Sequence, residues 1–316
     1  MADGPLGSPD ADALVERAVA AACAVGRRLG CDLAEPRLLS KRGNALVHLA
    51  PQPLVARVAT LSALTRHDPA AWMRRELEVS ARAAARGGPV LPPSTLVDPG
   101  PHRHDGLSVT LWPLLEHSGR VAGPADLGTA LARLHRATAG HPGPLPVLVQ
   151  AREQVSEALD LLSASGGAPA SLVSSLRAVH LEVLDAFEAH DRVVPSGGPH
   201  TVLHGDAHAG NLLDTPDGWC WVDLEETGCG PVEWDLAVAS GGHERSPDAD
   251  ETLAAYADES GAETPDEQRL APFRRARLLE GAVWALSLAR FRPDRYAEPA
   301  SRWVHQALAG SATKRT

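Results

Sequence analysis

A chain of 316 residues, 44% of them hydrophobic, carries enough apolar mass for one large or two modest packed domains. Its 40 acidic residues outnumber 30 basic ones, and the formal net charge of −10 argues against nucleic acid as the main partner, because phosphate binding needs a basic face. No apolar run is long and charge-free enough to span a bilayer, which argues against a membrane protein.

Residues 1–8 have neither a basic stretch nor a long apolar run, so a secretory signal is not expected there. Cys23, Cys31, Cys220 and Cys229 show no C-x-x-C pairing and read as free thiols of a reducing cytoplasm. Lys41 and Lys314 are the only lysines, so a functional cation elsewhere has to be an arginine.

Residues 10–30 read as a helix, with Leu14, Ala18, Val25 and Leu29 near one face and Gly30 as its stop. Three short strands follow at 36–40, 45–49 and 54–59, parted by the turns 41–44 and 51–53, which makes a β-meander. Residues 70–86 form a second helix, ended by Gly87-Gly88-Pro89. Residues 94–97 and 107–112 read as two further strands, joined by a polar loop in which His102 and His104 are expected to face solvent. From Pro124 the pattern turns helical: 126–137, 148–165 and 170–190. A loop at 196–199 leads into the central stretch. Beyond Ala237 the chain is helical again at 250–259, 265–291 and 296–309. Acidic clusters near these last helix starts complement the helix dipole.

The chemistry concentrates between 201 and 225. Residues 201–203 and 219–224 look like strands, expected to form one small antiparallel unit. Between them lie His204-Gly205-Asp206-Ala207-His208-Ala209-Gly210-Asn211, then Leu212-Leu213, then the turn Thr215-Pro216-Asp217-Gly218. This arrangement brings Asp206, Asn211 and Asp223 to one end. Phosphoryl transfer needs a carboxylate to orient the attacking hydroxyl and oxygen ligands for Mg²⁺ on the phosphates. Asp206 to Asn211 has the D-x-x-x-x-N spacing of a kinase catalytic loop, and Asp223 follows after a short turn. A rival reading takes His204, Asp206 and His208, with Asp223, as a transition-metal site in a hydrolase, since alternate strand residues share a face.

His204-Gly205-Asp206 with Asn211, then Val222-Asp223-Leu224-Glu225, then Gly230-Pro231-Val232-Glu233-Trp234-Asp235-Leu236-Ala237, resemble in that order the signature of the aminoglycoside phosphotransferase and choline kinase-like superfamily. These are small-molecule kinases with a protein-kinase-like fold, and the resemblance runs from about Leu38 to Ala237. It implies an α+β, bilobal chain, with a small antiparallel β-sheet lobe plus a larger, mainly helical lobe. Residues 1–112 would bind nucleotide, and residues 113–316 would carry the catalytic loop and acceptor site.

Residue by residue, the resemblance makes Asp206 the catalytic group that orients and deprotonates the acceptor, and Asn211 and Asp223 the Mg²⁺ ligands. Arg57 stands where a strand-three cation meets the ATP phosphates, and Glu76 is its helix partner, with Glu78 as competitor on a different face. The turn 40–44 would cover the phosphates, and the backbone at Leu111 and Trp112 would meet adenine. His204 would brace the loop, and Asp235 would tie down its backbone; His208 has no assigned role. Near His135 the chain also resembles the family, and a packed or capping role is expected for it.

The function expected is an ATP- and Mg²⁺-dependent phosphotransferase acting on a small-molecule alcohol, in a cytoplasmic monomer or homodimer. A cationic acceptor is favoured, an aminoglycoside or other basic antibiotic first, then a choline-like, sugar or amino-alcohol metabolite. Glu225, Glu226 and Glu233 are the carboxylates nearest to serve it, and one of the tryptophans could face its cation. A catalytically inactive nucleotide-binding protein on the same fold is the non-enzyme alternative.

Overall fold

A computed structural model describes residues 11–193 and 201–312. The expected features at 1–8 and 196–199 lie outside the described residues. Helix α1 (Ala11–Arg28) lays Leu14, Ala18, Ala21, Ala22 and Val25 against a five-stranded antiparallel sheet. The sheet comprises β1 (Glu35–Lys41), β2 (Asn44–Ala50), β3 (Leu54–Ala59), β4 (His102–His104) and β5 (Leu107–Pro113), in the order β1-β2-β3-β5-β4. The meander is there because Gly43 and the Pro51–Pro53 turn interrupt three β-branched and leucine-rich runs. β3 is the central strand and every one of its residues is buried, whereas the edge strand β1 is exposed along nearly its whole length.

The expected strand at 94–97 is absent. Pro92, Pro93, Pro99 and Pro101 remove the donors a ladder needs, and the segment instead crosses β5 with isolated bonds, Ser94 N–H to Leu111 O and Leu111 N–H to Pro99 O. The fourth partner is β4, in the stretch expected to be a loop; it pairs His102 with Val109 and His104 with Leu107. Helix α2 (Pro69–Ala85) opens on Asp68, whose side chain accepts from the Ala70 and Ala71 N–H groups, with Pro69 in the first turn. It buries Trp72, Met73, Glu76 and Leu77 toward the sheet and the interlobe space.

The rest is mainly helical: α3 (Pro124–Thr138), a π-turn (Gln150–Gln154) leading into α4 (Val155–Ala164), α5 (Ala170–Val193), α6 (Glu233–Ala239), α7 (Ala249–Ser260), α8 (Glu267–Leu288) and α9 (Pro293–Ala312). α3 and α7 approach so closely that a Cβ on Gly128 would collide with the Thr252 carbonyl. α5 and α8 join through stacked Phe187 and Phe273, 5.3 Å between centroids. The lobes are not separate cores: Leu288 and Tyr296, from the C-terminal helices, pack in the same cluster as α1 and the sheet. Among the described residues no helix is long and apolar enough to cross a membrane.

The central stretch forms two small ladders, not one unit. β6 (Thr201–Leu203) pairs with β9 (Gly228–Gly230), and β7 (Leu212–Thr215) pairs with β8 (Gly218–Trp221). The strand expected at 219–224 stops at Trp221 because Asp223 adopts φ 64°, the left-handed region, and Leu224–Glu226 coil into a 3₁₀ turn.

Candidate active site

The loop between β6 and β7 is held from below. Asp235, fully buried on α6, accepts from the backbone N–H of His204 at 2.7 Å and of Gly205 at 2.9 Å, and lies 2.9 Å from His135 Nε2. His135 Nδ1 in turn lies 2.9 Å from the Tyr256 hydroxyl, and the Trp234 indole donates to Gly205 O at 2.8 Å. Gly205 takes φ +93°, and a Cβ there would strike the Glu226 carbonyl and the Gln150 amide. The glycine is what lets the loop pass this crowded point.

His204 is fully buried against the Trp221 ring, 4.7 Å between centroids. Its Nδ1 accepts the Asp206 N–H at 3.3 Å, so Nε2 carries the proton and donates to Val222 O at 3.2 Å. Both ring nitrogens are thus used inside the loop. That speaks against the rival metal array of His204, Asp206 and His208, because the one acceptor lone pair of its first ligand is directed at the Asp206 N–H inside the loop.

Burial pushes the His204 pKa down to about 4, against an ordinary 6.5, with Asp235 and Asp206 opposing the shift. Between those values the unfolded chain binds a proton that the folded chain does not, so stability rises with pH across this window and is lost as pH falls. The expected loss on going from pH 7 to pH 4 is on the order of 3 kcal/mol from this residue alone. Urea unfolding of the wild type and His204→Gln across that range tests it: the variant should show the shallower slope, and equal slopes would refute the assignment.

Asp206 follows directly. Its Oδ1 accepts from Arg277 Nη2 at 2.7 Å, and Oδ2 lies 3.4 Å from His208 Nε2. Burial opposes ionisation, but Arg277 and the histidines outweigh it and hold the carboxyl well below the usual range. The same contact raises the His208 pKa, against a burial effect that lowers it. Asn211 donates through Nδ2 to the Asp206 carbonyl at 3.0 Å, which turns its amide oxygen away from Asp206. Asn211 O accepts the Val222 N–H at 2.9 Å, and this bond sets Asp223 beside the loop. Asp206 and Asp223 line one cavity of about 470 Å³; Asn211 and Asp223 line an adjoining one of about 540 Å³ that runs beneath the sheet.

Arg57 reaches in from β3. It is 5% exposed and grips Glu76 through Nη1, while Nη2 meets Asp223 at 2.6 Å and Glu225. Burial works against its charge, and Asp223, Glu76 and Glu225 more than offset that, raising its pKa above the ordinary arginine value. Glu78, the competitor to Glu76, is exposed. Trp112 borders the larger cavity, and Pro113, Leu114 and Leu115 continue its wall. Leu111 does not reach it: the side chain is fully buried in the sheet core, and both backbone groups are taken by Pro99 and Ser94. The alternation of a strand turns Leu111 inward when Trp112 faces the cleft.

Several residues with no motif join the site. Arg66, 4% exposed in its side chain, pairs with Glu225 at 3.1 Å and Glu226 at 3.5 Å. Asn44, at the tip of the β1–β2 turn, donates to Glu225 at 2.9 Å. The Glu225 carboxyl is drawn down to about 2, burial being outweighed by Arg66, Arg57 and Asn44. Glu233 is not an acceptor group: it is buried and paired with Arg269. Trp284 and Trp303 border the 470 Å³ cavity, whereas Trp221 and Trp234 are fully buried.

A small antiparallel sheet over a helical body, with a polar loop and a D-x-E turn meeting between them, defines a protein-kinase-like phosphotransferase. Residues 38–273 match the model of the phosphotransferase enzyme family, APH, and the chain belongs to that family. The enzyme is accordingly an ATP-dependent small-molecule kinase. Among solved structures it is similar to a choline/ethanolamine kinase family protein from Mesorhizobium loti, with 19% identity, 94% of each chain covered and a TM-score of 0.59. It is also similar to an amicoumacin kinase in complex with AMP-PNP, Ca²⁺ and Ami, with 11% identity, coverage of 91% and 93%, and a TM-score of 0.65. A third is the choline kinase LicA from Streptococcus pneumoniae, with 13% identity, coverage of 92% and 98%, and a TM-score of 0.62. At these identities the likeness speaks for the fold. No curated protein matches the chain.

Proposed function

We propose that the enzyme transfers the γ-phosphoryl group of ATP, with Mg²⁺, to a hydroxyl of a small cationic molecule in the cytoplasm. Residues 1–112 form the nucleotide portion and residues 113–316 the acceptor portion. The observation that carries this reading is that two adjoining cavities, one lined by Asp206 and the other by Asn211, share Asp223 and Arg57 between them. Adenine lies along Trp112 to Leu115, and Arg57, kept in place by Glu76, faces the phosphates.

The donor set fits a hard divalent cation, since Asn211 and Asp223 offer an amide and a carboxylate oxygen and few ligands beyond phosphate and water are needed. When bound, Mg²⁺ supplies charge neutralisation on the phosphates. Asp206 orients the acceptor hydroxyl and takes its proton as the bond from that oxygen to the γ-phosphorus forms and the bond from the γ-phosphorus to the β–γ bridging oxygen breaks, with ADP as the leaving group. With a pKa held so low, Asp206 contributes more by orientation than as a strong base.

An aminoglycoside or other basic antibiotic is the acceptor favoured. Around the 470 Å³ cavity the carboxylates Asp206, Asp223, Glu225, Glu226 and Glu280 outnumber the arginines Arg42, Arg57 and Arg277 that line it with them, which supports a cation there. A choline-like acceptor is the second reading, favoured by Trp284 and Trp303 at the same cavity, because indole faces attract onium groups. ADP release measured across aminoglycosides, choline and amino-alcohols should single out one class. Stripping divalent ions with EDTA should abolish the release, and added Mg²⁺ should restore it; turnover undiminished in EDTA would contradict the metal roles of Asn211 and Asp223.

A further inference from the structure

We propose that Arg277, on α8, is the positioning residue that fixes the Asp206 carboxylate for phosphoryl transfer. The inference rests on the role given to Asp206 above. The loop's own grip on that carboxylate is loose: Asn211 Nδ2 and His208 Nε2 each stand 3.4 Å from Oδ2. The short bond comes from outside the loop, Arg277 Nη2 to Oδ1 at 2.7 Å.

Arg277 is itself held on its other edge. Nη1 donates to Glu280 at 2.5 Å and faces Glu226 at 3.5 Å. The guanidinium lies 5.6 Å from the centroid of Trp234, the residue whose indole N–H holds Gly205 O. The side chain is 17% exposed, so these pairs are little screened by solvent. A planar guanidinium caught by carboxylates on two edges cannot turn, and a carboxylate oxygen bonded to it is fixed with it. Oδ1 is thereby committed to Arg277, and Oδ2 is the oxygen left to meet an acceptor hydroxyl.

The position is also central to the acceptor space. Asp206, His208 and Arg277 border both the 470 Å³ cavity and a second one of about 480 Å³ on the α6–α7 side. An acceptor entering from either meets the same fixed oxygen. Arg277 and Glu280 lie beyond residues 38–273, the segment that matches the family, so the family signature says nothing of them.

The test compares the wild type with Arg277→Met, Arg277→Lys, Asp206→Asn and the double variant Asp206→Asn/Arg277→Met. ADP release from MgATP is followed with kanamycin, with choline and with water as sole acceptor. Arg277→Met should lose about 10²-fold in kcat, the cost of misplacing a catalytic group, while its KM for ATP changes little. Arg277→Lys should recover part of the rate, because it returns the charge without the fork. The double variant should be no slower than Asp206→Asn alone. Wild-type kcat in a folded Arg277→Met, or additive losses in the double variant, would overturn the proposal. If Arg277→Met does not fold, Arg277→Lys decides: a loss of roughly tenfold in kcat at unchanged ATP KM supports it, and a wild-type kcat overturns it. A wild type that releases no ADP under any condition sinks the kinase reading and this proposal together; an active wild type with indifferent Arg277 variants sinks this proposal alone.

Discussion

Asp206→Asn should cut phosphoryl transfer by roughly 10²–10⁴-fold, the range of a positioned proton acceptor, while ATP affinity stays within a few-fold of wild type. The substitution is nearly isosteric and removes the charge without removing volume. The fold should tolerate it. Asp235, not Asp206, holds the loop backbone through His204 and Gly205, and Arg277 keeps Glu226 and Glu280 as counter-charges. The cavity proposed for the nucleotide is bordered by Arg57, Trp112, Asn211 and Asp223, none of which the substitution touches directly except Asn211. ADP release against calorimetric ATP binding separates the two effects. Turnover equal to wild type would remove Asp206 from the mechanism, and loss of ATP binding in step with turnover would make it a nucleotide residue instead.

Arg57→Met has the largest expected effect on stability. The side chain is 5% exposed, and it neutralises Glu76, which is 1% exposed, together with Glu225 and Asp223. Methionine fills much of the volume but strands Glu76 in a dry interior, whereas Glu225 keeps Arg66 and Asn44 and the Asp223 side chain is 44% exposed. Removing one partner of a buried ion pair costs about 3–5 kcal/mol, because the other charge stays buried and unpaired. The urea midpoint should fall accordingly, and ATP should bind more weakly in whatever fraction remains folded. Glu76→Gln made together with Arg57→Met should restore part of the lost stability by removing one stranded charge. An Arg57→Met midpoint within experimental error of wild type would show that Arg57 is not the hub of these pairs.

The parts of the site legible in the sequence are those close together along the chain. Asp206, Asn211 and Asp223 fall within eighteen residues, and a loop plus one hairpin can present them together under almost any packing. The meander was readable for the same reason, since each of its turns has a glycine or proline at the point of reversal. Periodicity failed where elements were too short to have a period. β6 and β9 have three residues each, and nothing in either indicates that 201–203 pairs with 228–230 and not with 219–221. The 94–97 stretch looked extended, and it is, but prolines on both sides withhold the donors that would make it a strand.

Leu111 shows a different limit. Its position before the change to helices suits it to adenine as well as that of Trp112, and only the facing of β5 distinguishes the two. Arg66, Arg277 and Glu280 gave no sign at all; the i,i+3 pair of Arg277 and Glu280 on α8 is a common helix-surface pattern.

The reaction class, the family and the loop that carries Asp206 were legible from the residues in order, because covalent spacing alone keeps Asp206, Asn211 and Asp223 near one another. The tertiary structure decided which cations serve which carboxylates. Arg57, Arg66 and Arg277 come from β3, from the turn before α2 and from α8, and each is committed to its partners by burial, since away from water an unpaired charge is too costly to leave.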